Sequence, residues 1–320
     1  MLNRRILRIK AFKALYSNVL TQGSSKPASL SDTLSELEIS CEAVRDLYVF
    51  MLGVVPSITS VAKSRIEGLS LKVHKSEEDL HPNRKFADNA LSTLILEDID
   101  FQKAWKKGKY SWDQYDIILK KIYDSARSKD YFKAYMDSPE RSLAEDCKLF
   151  TKIFEEEFVD LEEIYQILED TSIYWTDDLA YALTWCCKTL KSFAEGKSWK
   201  MPPLYQSDIL RAQGKVAESD KDFVNKLLRE AYEAYPEYSD MVSALVPSFD
   251  KDRLVATDMC LIVCCLAEVV NFPTIPVKVS INEYVEISKY FGTPKSSVFV
   301  NGLIDRMVTN FVNEGKVSKN

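Results

Sequence analysis

Hydrophobic residues recur along this chain at three- and four-residue intervals almost from end to end, the spacing of one face of an α-helix. Leu7, Ala11, Ala14 and Leu15 mark the first such face and predict a helix from about Asn3 to Leu20, closing near Gly23. The polar stretch Ser24–Ser31 separates it from a second helix, which Ser31 or Asp32 can cap and whose apolar positions run through Val44, Leu47, Phe50 and Met51. Pro56 is expected to kink or break that helix, since proline has no N–H to donate and clashes with the carbonyl four residues back. Helical pattern resumes to about Val73, and the polar Lys75–Lys85, with Pro82, reads as a loop. Further helices are expected at Trp112–Arg127, Asp130–Met136, Ser142–Asp170 and Thr176–Phe193, the last capped by Thr176, with a linker at Lys197–Pro203. The final third predicts helices at Asp220–Tyr235, Pro236–Leu245, Lys251–Val270, Val277–Phe291 and Ser296–Asn313. Gly292 closes the fourth of these, and Ser296 and Ser297 offer caps for the fifth. A faint echo relates Asp146–Asp178 to Asp220–Asp252 at an offset of 74 residues, a likeness that helix patterns also produce by chance.

Composition supports an all-α fold. With only 9 Gly and 11 Pro in 320 residues, the chain has too few turn formers for a turn-rich β architecture. No GxGxxG or GxxxxGK[ST] pattern occurs, which excludes dinucleotide-binding and P-loop readings. Seven Cys and two His form no CxxC pair and no zinc-like spacing, so the cysteines are expected to be reduced and buried and no metal or cofactor is expected. Met1–Leu20 lacks the charged head, apolar centre and cleavage site of an export signal. The longest apolar run, Met259 to Ala267, is nine residues, far short of a bilayer span. A cytoplasmic location without membrane attachment is the expectation.

Charge is unevenly placed. The first 31 residues hold six Lys and Arg and no Asp or Glu, whereas the rest of the chain sets 36 Lys and Arg against 48 Asp and Glu. A basic opening helix on an acidic body suggests a local anion site rather than a basic coat. Arg4 and Arg8 share one side of that helix and Arg5 lies 100° around, near N–H groups that also favour phosphate. Arginine suits phosphate because its planar fork donates two parallel hydrogen bonds. The alternative is an ordinary first helix with a chance charge bias. A second candidate is the run Ile275-Pro-Val-Lys-Val-Ser-Ile-Asn-Glu283, Val285 to Gly292 and Ser296 to Asp305. Gly302 inside its last helical pattern costs ~1 kcal/mol relative to Ala, which implies a packing or backbone-approach role. Asn282 and Asn301 are expected to hydrogen-bond within the bundle.

The stretch Val279-Ser-Ile-Asn-Glu-Tyr-Val-Glu-Ile-Ser-Lys-Tyr-Phe-Gly292, followed by Phe299-Val-Asn-Gly-Leu-Ile-Asp305, strongly resembles the transcription antitermination protein NusB family. The pattern Arg4-Arg5, Arg8, Ala11 and Ala14-Leu15-Tyr16 resembles that family's opening helix. The C-terminal resemblance covers about Asp220–Met307, while roughly Lys72 to Gly214 has no counterpart in compact members. It implies two packed helical bundles, the N-terminal one enlarged by a helical insertion. The expected domains are 1–214, with a basic RNA-binding helix at 3–20 and an insertion at about 72–214, and 215–320 as the C-terminal bundle. The resemblance also implies a non-enzymatic antitermination factor of the RNA polymerase antitermination complex. It would bind boxA-type single-stranded leader RNA together with NusE, a small-subunit ribosomal protein. Carried onto this sequence, the RNA surface is Arg4, Arg5, Arg8, Tyr16, Lys295, Phe299 and Asn301, and the acidic partner contacts are Asp258, on a NusE-facing surface, and Glu268.

Departures from the family pattern lie at Val263, Ala267 and Lys13, where an Arg, a Tyr and a Gln are usual. With the acidic body, they suggest an alternative: a protein-interaction scaffold that kept the fold and lost RNA binding. NusB-like domains also precede RNA cytosine methyltransferase domains, but that reading needs an α/β domain with a Gly-rich loop, which these 320 residues do not contain.

Overall fold

The computed structural model describes residues 1–22, 27–69, 71–212, 214, 219–246 and 254–317. The described residues form sixteen α-helices: α1 (Arg4–Thr21), α2 (Leu30–Leu52), α3 (Val54–Leu69), α4 (Glu77–Leu80), α5 (Ala90–Glu97), α6 (Ile99–Gly108), α7 (Asp116–Ser128), α8 (Asp130–Asp137), α9 (Leu143–Glu156), α10 (Glu162–Thr171), α11 (Leu179–Ala194), α12 (Gln206–Ala212), α13 (Asp220–Leu245), α14 (Ala256–Asn271), α15 (Val277–Phe291) and α16 (Ser296–Asn313). Among these residues there is no β-strand, only an isolated parallel bridge between Leu2 and Tyr205. The all-α expectation holds.

Two compact units emerge, one of Met1–Cys41 with Pro203–Asn320, the other of Glu42–Pro202. They differ from the expected division at residue 214 because α1 buries Leu7, Ala11, Phe12, Ala14 and Leu15 and packs on α13 and α14. The bridge at Leu2 fixes the same arrangement, with Leu2 N–H donating to the Leu204 carbonyl at 2.6 Å.

In the first unit α14 is the central rod. Every residue from Asp258 to Val269 is buried, so the helix is covered on all sides, by α1, α13, α15 and α16. Its buried Val263 and Ala267 occupy two of the three positions where the sequence departs from the pattern it resembles. The expected pair of helices over 220–245 is one continuous helix, α13, with Pro236 inside it. Burial on both sides of the proline, by Leu227, Leu228 and Ala231 before it and Tyr238 and Val242 after it, outweighs the lost backbone bond. The expected start of α14 at Lys251 falls outside the described residues. Gly292 ends α15 through close approach rather than a left-handed turn, since a Cβ there would stand 2.4 Å from Ser296 Cβ. At Gly302, by contrast, a Cβ would meet nothing within 4 Å, so the packing role expected of it is absent.

In the second unit the α2–α3 break falls at Gly53, and Pro56 sits in the first turn of α3, where a missing N–H is harmless. By length and mean hydropathy (1.4) the Leu30–Leu69 stretch passes for a membrane span, yet 72% of that window is buried, as in a core helix. The expected helix 142–170 is divided at Glu157–Leu161 into α9 and α10. Three successive glutamates oppose the dipole at the end of α9, Glu157 accepts from Tyr131 Oη at 2.7 Å, and Phe158 turns into the core. The expected loop at 75–85 contains the single turn α4, held by a capping box of Ser76 and Asp79. Thr176 is not the cap of α11; Asp178 stands at that position. Aromatic stacking organises the interior, with Phe50 4.3 Å from Trp112 and 5.1 Å from Trp175. All seven cysteines are free thiols, and all but the half-buried Cys187 are buried.

The polar interior of the first unit rests on one ion pair. Arg8 on α1 meets Glu268 on α14 through two hydrogen bonds, at 2.7 and 2.8 Å. The Ser280 hydroxyl donates to the same carboxylate at 2.6 Å, and Tyr284 Oη adds a longer bond at 3.4 Å. Burial opposes the charge on Arg8, but the Glu268 bonds more than offset it and hold its pKa above the ordinary value. Glu268→Gln should therefore lower unfolding free energy by about 3–5 kcal/mol, because it leaves the buried guanidinium with only the more distant Glu283 carboxylate, 3.9 Å away, as counter-charge. The double change Arg8→Met with Glu268→Leu should recover most of that loss in urea titrations. A Glu268→Gln variant as stable as the parent would show that the pair is solvated.

Candidate nucleic-acid interface

The three arginines predicted to bind phosphate lie together at the start of α1, where the Asn3 side chain caps the helix by accepting from Ile6 N–H. Each is matched to a carboxylate. Arg4 Nε lies 3.3 Å from Asp220, with its guanidinium 4.6 Å over the Phe223 ring. Arg5 makes a bidentate pair with Glu283 on α15, 2.8 Å for both bonds. Arg8 is 4% exposed and belongs to the Glu268 cluster, so it is an internal tie rather than a phosphate contact. Arg5, with its side chain about half exposed, is the arginine most open to a ligand. Its bonds to Glu283 hold the guanidinium pKa above its usual value and hold the Glu283 carboxyl below the carboxylate range.

Further along α1, aromatic contacts run from Tyr16 to Phe12 at 6.3 Å and from Phe12 to Phe291 at 5.6 Å. Lys13 Nζ lies 5.3 Å over the Phe291 ring, a cation–π contact at the position of the family's usual glutamine. This chain of rings joins α1 to the C-terminal end of α15. There Tyr290 is 82% exposed, and with Glu286 it adds to the electrostatic surroundings of Arg5. Sequence reasoning missed Tyr290. Its signal was helical register: Tyr290 follows Glu283 by seven residues, two turns on and on the same side of α15. At the start of α16, Lys295 is exposed and Phe299 half-buried, next to the exposed Val298. Asn301 does not reach across the bundle; it donates to Asp305 on its own helix at 3.3 Å, and Asn282 is exposed.

The two acidic residues expected to face a partner are interior. Glu268 is fully buried beneath α1, and Asp258 is 1% exposed, because the α15–α16 turn covers the first turn of α14. Asp258 Oδ2 accepts from the Ser296 hydroxyl at 2.9 Å, while Oδ1 has no hydrogen-bond partner. Ser296 is thus a bridge rather than the expected cap, since its Oγ also accepts from Thr293 N–H at 2.7 Å. Burial raises the Asp258 pKa against the lowering effect of Ser296.

Residues 194–309 match the family model described as the NusB family. The transcription antitermination protein NusB of Salinibacter ruber is 32% identical over 101 residues, covering 32% of this chain and 63% of that protein. Its namesake in Methylacidiphilum infernorum is 34% identical over 91 residues, 28% of this chain and 64% of that protein. That of Alkaliphilus oremlandii is 27% identical over 96 residues, 30% of this chain and 70% of that protein. The chain therefore spans a little under two thirds of the length of the first two relatives. No solved structure matches it.

The buried Asp258 gives a pH test. A raised folded pKa means that its favourable contribution is present below the ordinary carboxylate pKa of ~4 and is lost as pH rises through the folded value. Asp258→Asn should thus unfold at higher urea than the parent at pH 7, with the advantage shrinking as pH falls towards 4. A parent more stable than the variant at pH 7 would mean that the carboxylate is charged and paired.

Proposed function

We propose that this NusB-family chain is a non-enzymatic transcription antitermination factor that binds boxA-type single-stranded leader RNA together with NusE, within the RNA polymerase antitermination complex. The observation that carries the reading is the family match over 194–309, joined to an arginine-bearing α1 packed on that same bundle. The RNA surface we assign runs from Arg5 and Tyr290 past Tyr16 and Phe291 to Lys295 and Phe299. Arg5 and Lys295 supply charge for phosphates, and the exposed rings supply faces on which unpaired bases stack. Arg4 borders this surface through its contact with Phe223. Arg8 and Glu268 act beneath it by fixing α1, and Asp258 acts through Ser296 by fixing the start of α16. The NusE contact then belongs to residues outside Asp258 and Glu268. A cytoplasmic setting goes with this role.

A second reading has an observation in its favour. Arg4, Arg5 and Arg8 all face carboxylates of the same unit, so a phosphate must compete with an existing partner. In that reading the protein is an interaction scaffold that kept the fold and lost RNA binding.

Fluorescence anisotropy with a boxA-type RNA, with and without NusE, separates the two. RNA binding predicts that Arg5→Ala and Tyr290→Ala each weaken association, Tyr290→Ala by ~1–3 kcal/mol for a lost stack. Glu283→Gln, which frees Arg5, should tighten it about two- to fivefold, the equivalent of one exposed ion pair. No binding by the parent or by Glu283→Gln, with NusE present, would leave the scaffold reading. For Phe299 a melting temperature near the parent's in Phe299→Ala, with weaker RNA binding, supports stacking, whereas a large drop assigns it to packing.

A further inference from the structure

The second unit holds an open groove of about 1020 Å3 that the α1 surface does not involve. Its floor is one side of α3, where Ser57, Ser60 and Ser64 follow Gly53 at helical spacing. One wall is α6, through Gln102 and Trp105, continued by Tyr110, and the other is α7. A Cβ at Gly53 would stand 2.2 Å from the Trp105 ring, so the indole edge lies directly on the α2–α3 junction. Trp105 stays half-buried beside the groove, 5.7 Å from Tyr110. Two aromatic rings therefore border an open volume rather than a packed core.

The end of α6 is strongly basic. Residues 103–110 read Lys-Ala-Trp-Lys-Lys-Gly-Lys-Tyr, four lysines with no acid. Lys106 follows Gln102 by four residues on α6, and Lys106, Lys107 and Lys109 lie in the chain between the groove-lining Trp105 and Tyr110. Lys106, Lys107 and Lys109 are exposed, and among the described residues no ion pair holds them. The dipole of α6 accounts for lysines in its last turn. It does not account for Lys109, which lies past the helix at φ +55°, the one non-glycine residue in the left-handed region among those described. Glycine or asparagine would take that conformation at lower cost. The neighbouring glycine, Gly108, is needed elsewhere: a Cβ there would meet the Tyr110 ring at 2.0 Å, so its absence lets Tyr110 fold back over α6. The Tyr110 ring is set against the groove, and the residue before it, Lys109, carries the local strain. The carboxylates of α7 that face the groove are matched, Asp116 by Lys120 and Asp124 by Arg65, and Asp113 just before α7 accepts from the Ser111 hydroxyl.

We propose that this groove binds single-stranded RNA, with phosphates on Lys106, Lys107 and Lys109 and a base stacked at Trp105 and Tyr110. An acidic peptide would use the lysines but not the paired rings. The site is independent of the α1 surface and stands whether or not that surface binds boxA-type RNA.

The test uses the full chain and a fluorescein-labelled 12-nucleotide oligouridylate, which contains no boxA sequence, titrated by anisotropy across a range of KCl. Replacing Lys106 and Lys107 with Ala and Lys109 with Gly should weaken binding at least tenfold at low salt. The slope of log affinity against log salt should flatten by about 2, taking ~0.7 per single-strand phosphate. The melting temperature should hold or rise, since Lys109→Gly relieves the strained position. Trp105→Leu should weaken binding about five- to hundredfold with the salt slope unchanged. In the parent, 254 nm cross-linking and peptide mapping should place the oligonucleotide on residues 101–120, a readout independent of whether Trp105→Leu folds. The proposal is overturned if the parent does not bind the oligonucleotide, or if the lysine variant keeps the parent's affinity and slope. It also fails if the cross-links fall outside residues 101–120, or if polyglutamate of matched charge displaces the RNA.

Discussion

The first unit depends on a guanidinium and a carboxylate brought out of water together. Arg8 and Glu268 come from helices 260 positions apart in sequence, and their bidentate contact admits a narrow range of rotations of α1 on α14. Ser280 and Tyr284 bring α15 to the same carboxylate, so three helices converge on one charge. A buried pair of this kind adds little net stability over an apolar contact of equal volume. Its effect is on register: it fixes which side of α1 faces outward. Arg5, three residues before Arg8, is thereby held against α15 rather than against the core.

The pairing of Arg5 with Glu283 shows why the surface is conditional. Glu283 stabilises α1 on α15 and also occupies the group a phosphate would use. On the proposed surface, RNA binding and internal stability would draw on the same guanidinium, which would make the aromatic faces at Tyr290, Phe291 and Phe299 the larger source of affinity, since a ring stacks on a base without first breaking an ion pair.

Local sequence pattern carried the boundaries of α15 and α16 to the residue, because Pro276, Gly292 and the apolar spacing agree there. It failed where distant contacts override local preference. Pro236 lies within a helix because α14 and α1 pack along both halves of α13, and the acidic run at 155–157 ends a helix that periodicity alone would extend. The same limit governs the site. Helical spacing put Arg4, Arg5 and Arg8 at one end of α1, but which of them remains exposed depends on carboxylates at 220, 268 and 283. The family resemblance put Asp258 and Glu268 on a partner-facing surface, whereas the packing of α1 and of the α15–α16 turn buries them. In the second unit, the strained Lys109 and the close fits at Gly53 and Gly108 had no signature in composition or period.

The central claim is that α1, locked by the Arg8–Glu268 pair, presents Arg5 to RNA alongside the rings of α15 and α16. Ultraviolet cross-linking of the full chain to a boxA-type RNA in the presence of NusE, with the linked peptides mapped by mass spectrometry, tests it most directly. The account predicts cross-links at Tyr290, Phe291 or Phe299, and their loss in Glu268→Gln, where α1 is no longer held. Cross-links confined to other surfaces of the first unit, or unchanged by Glu268→Gln, would contradict it.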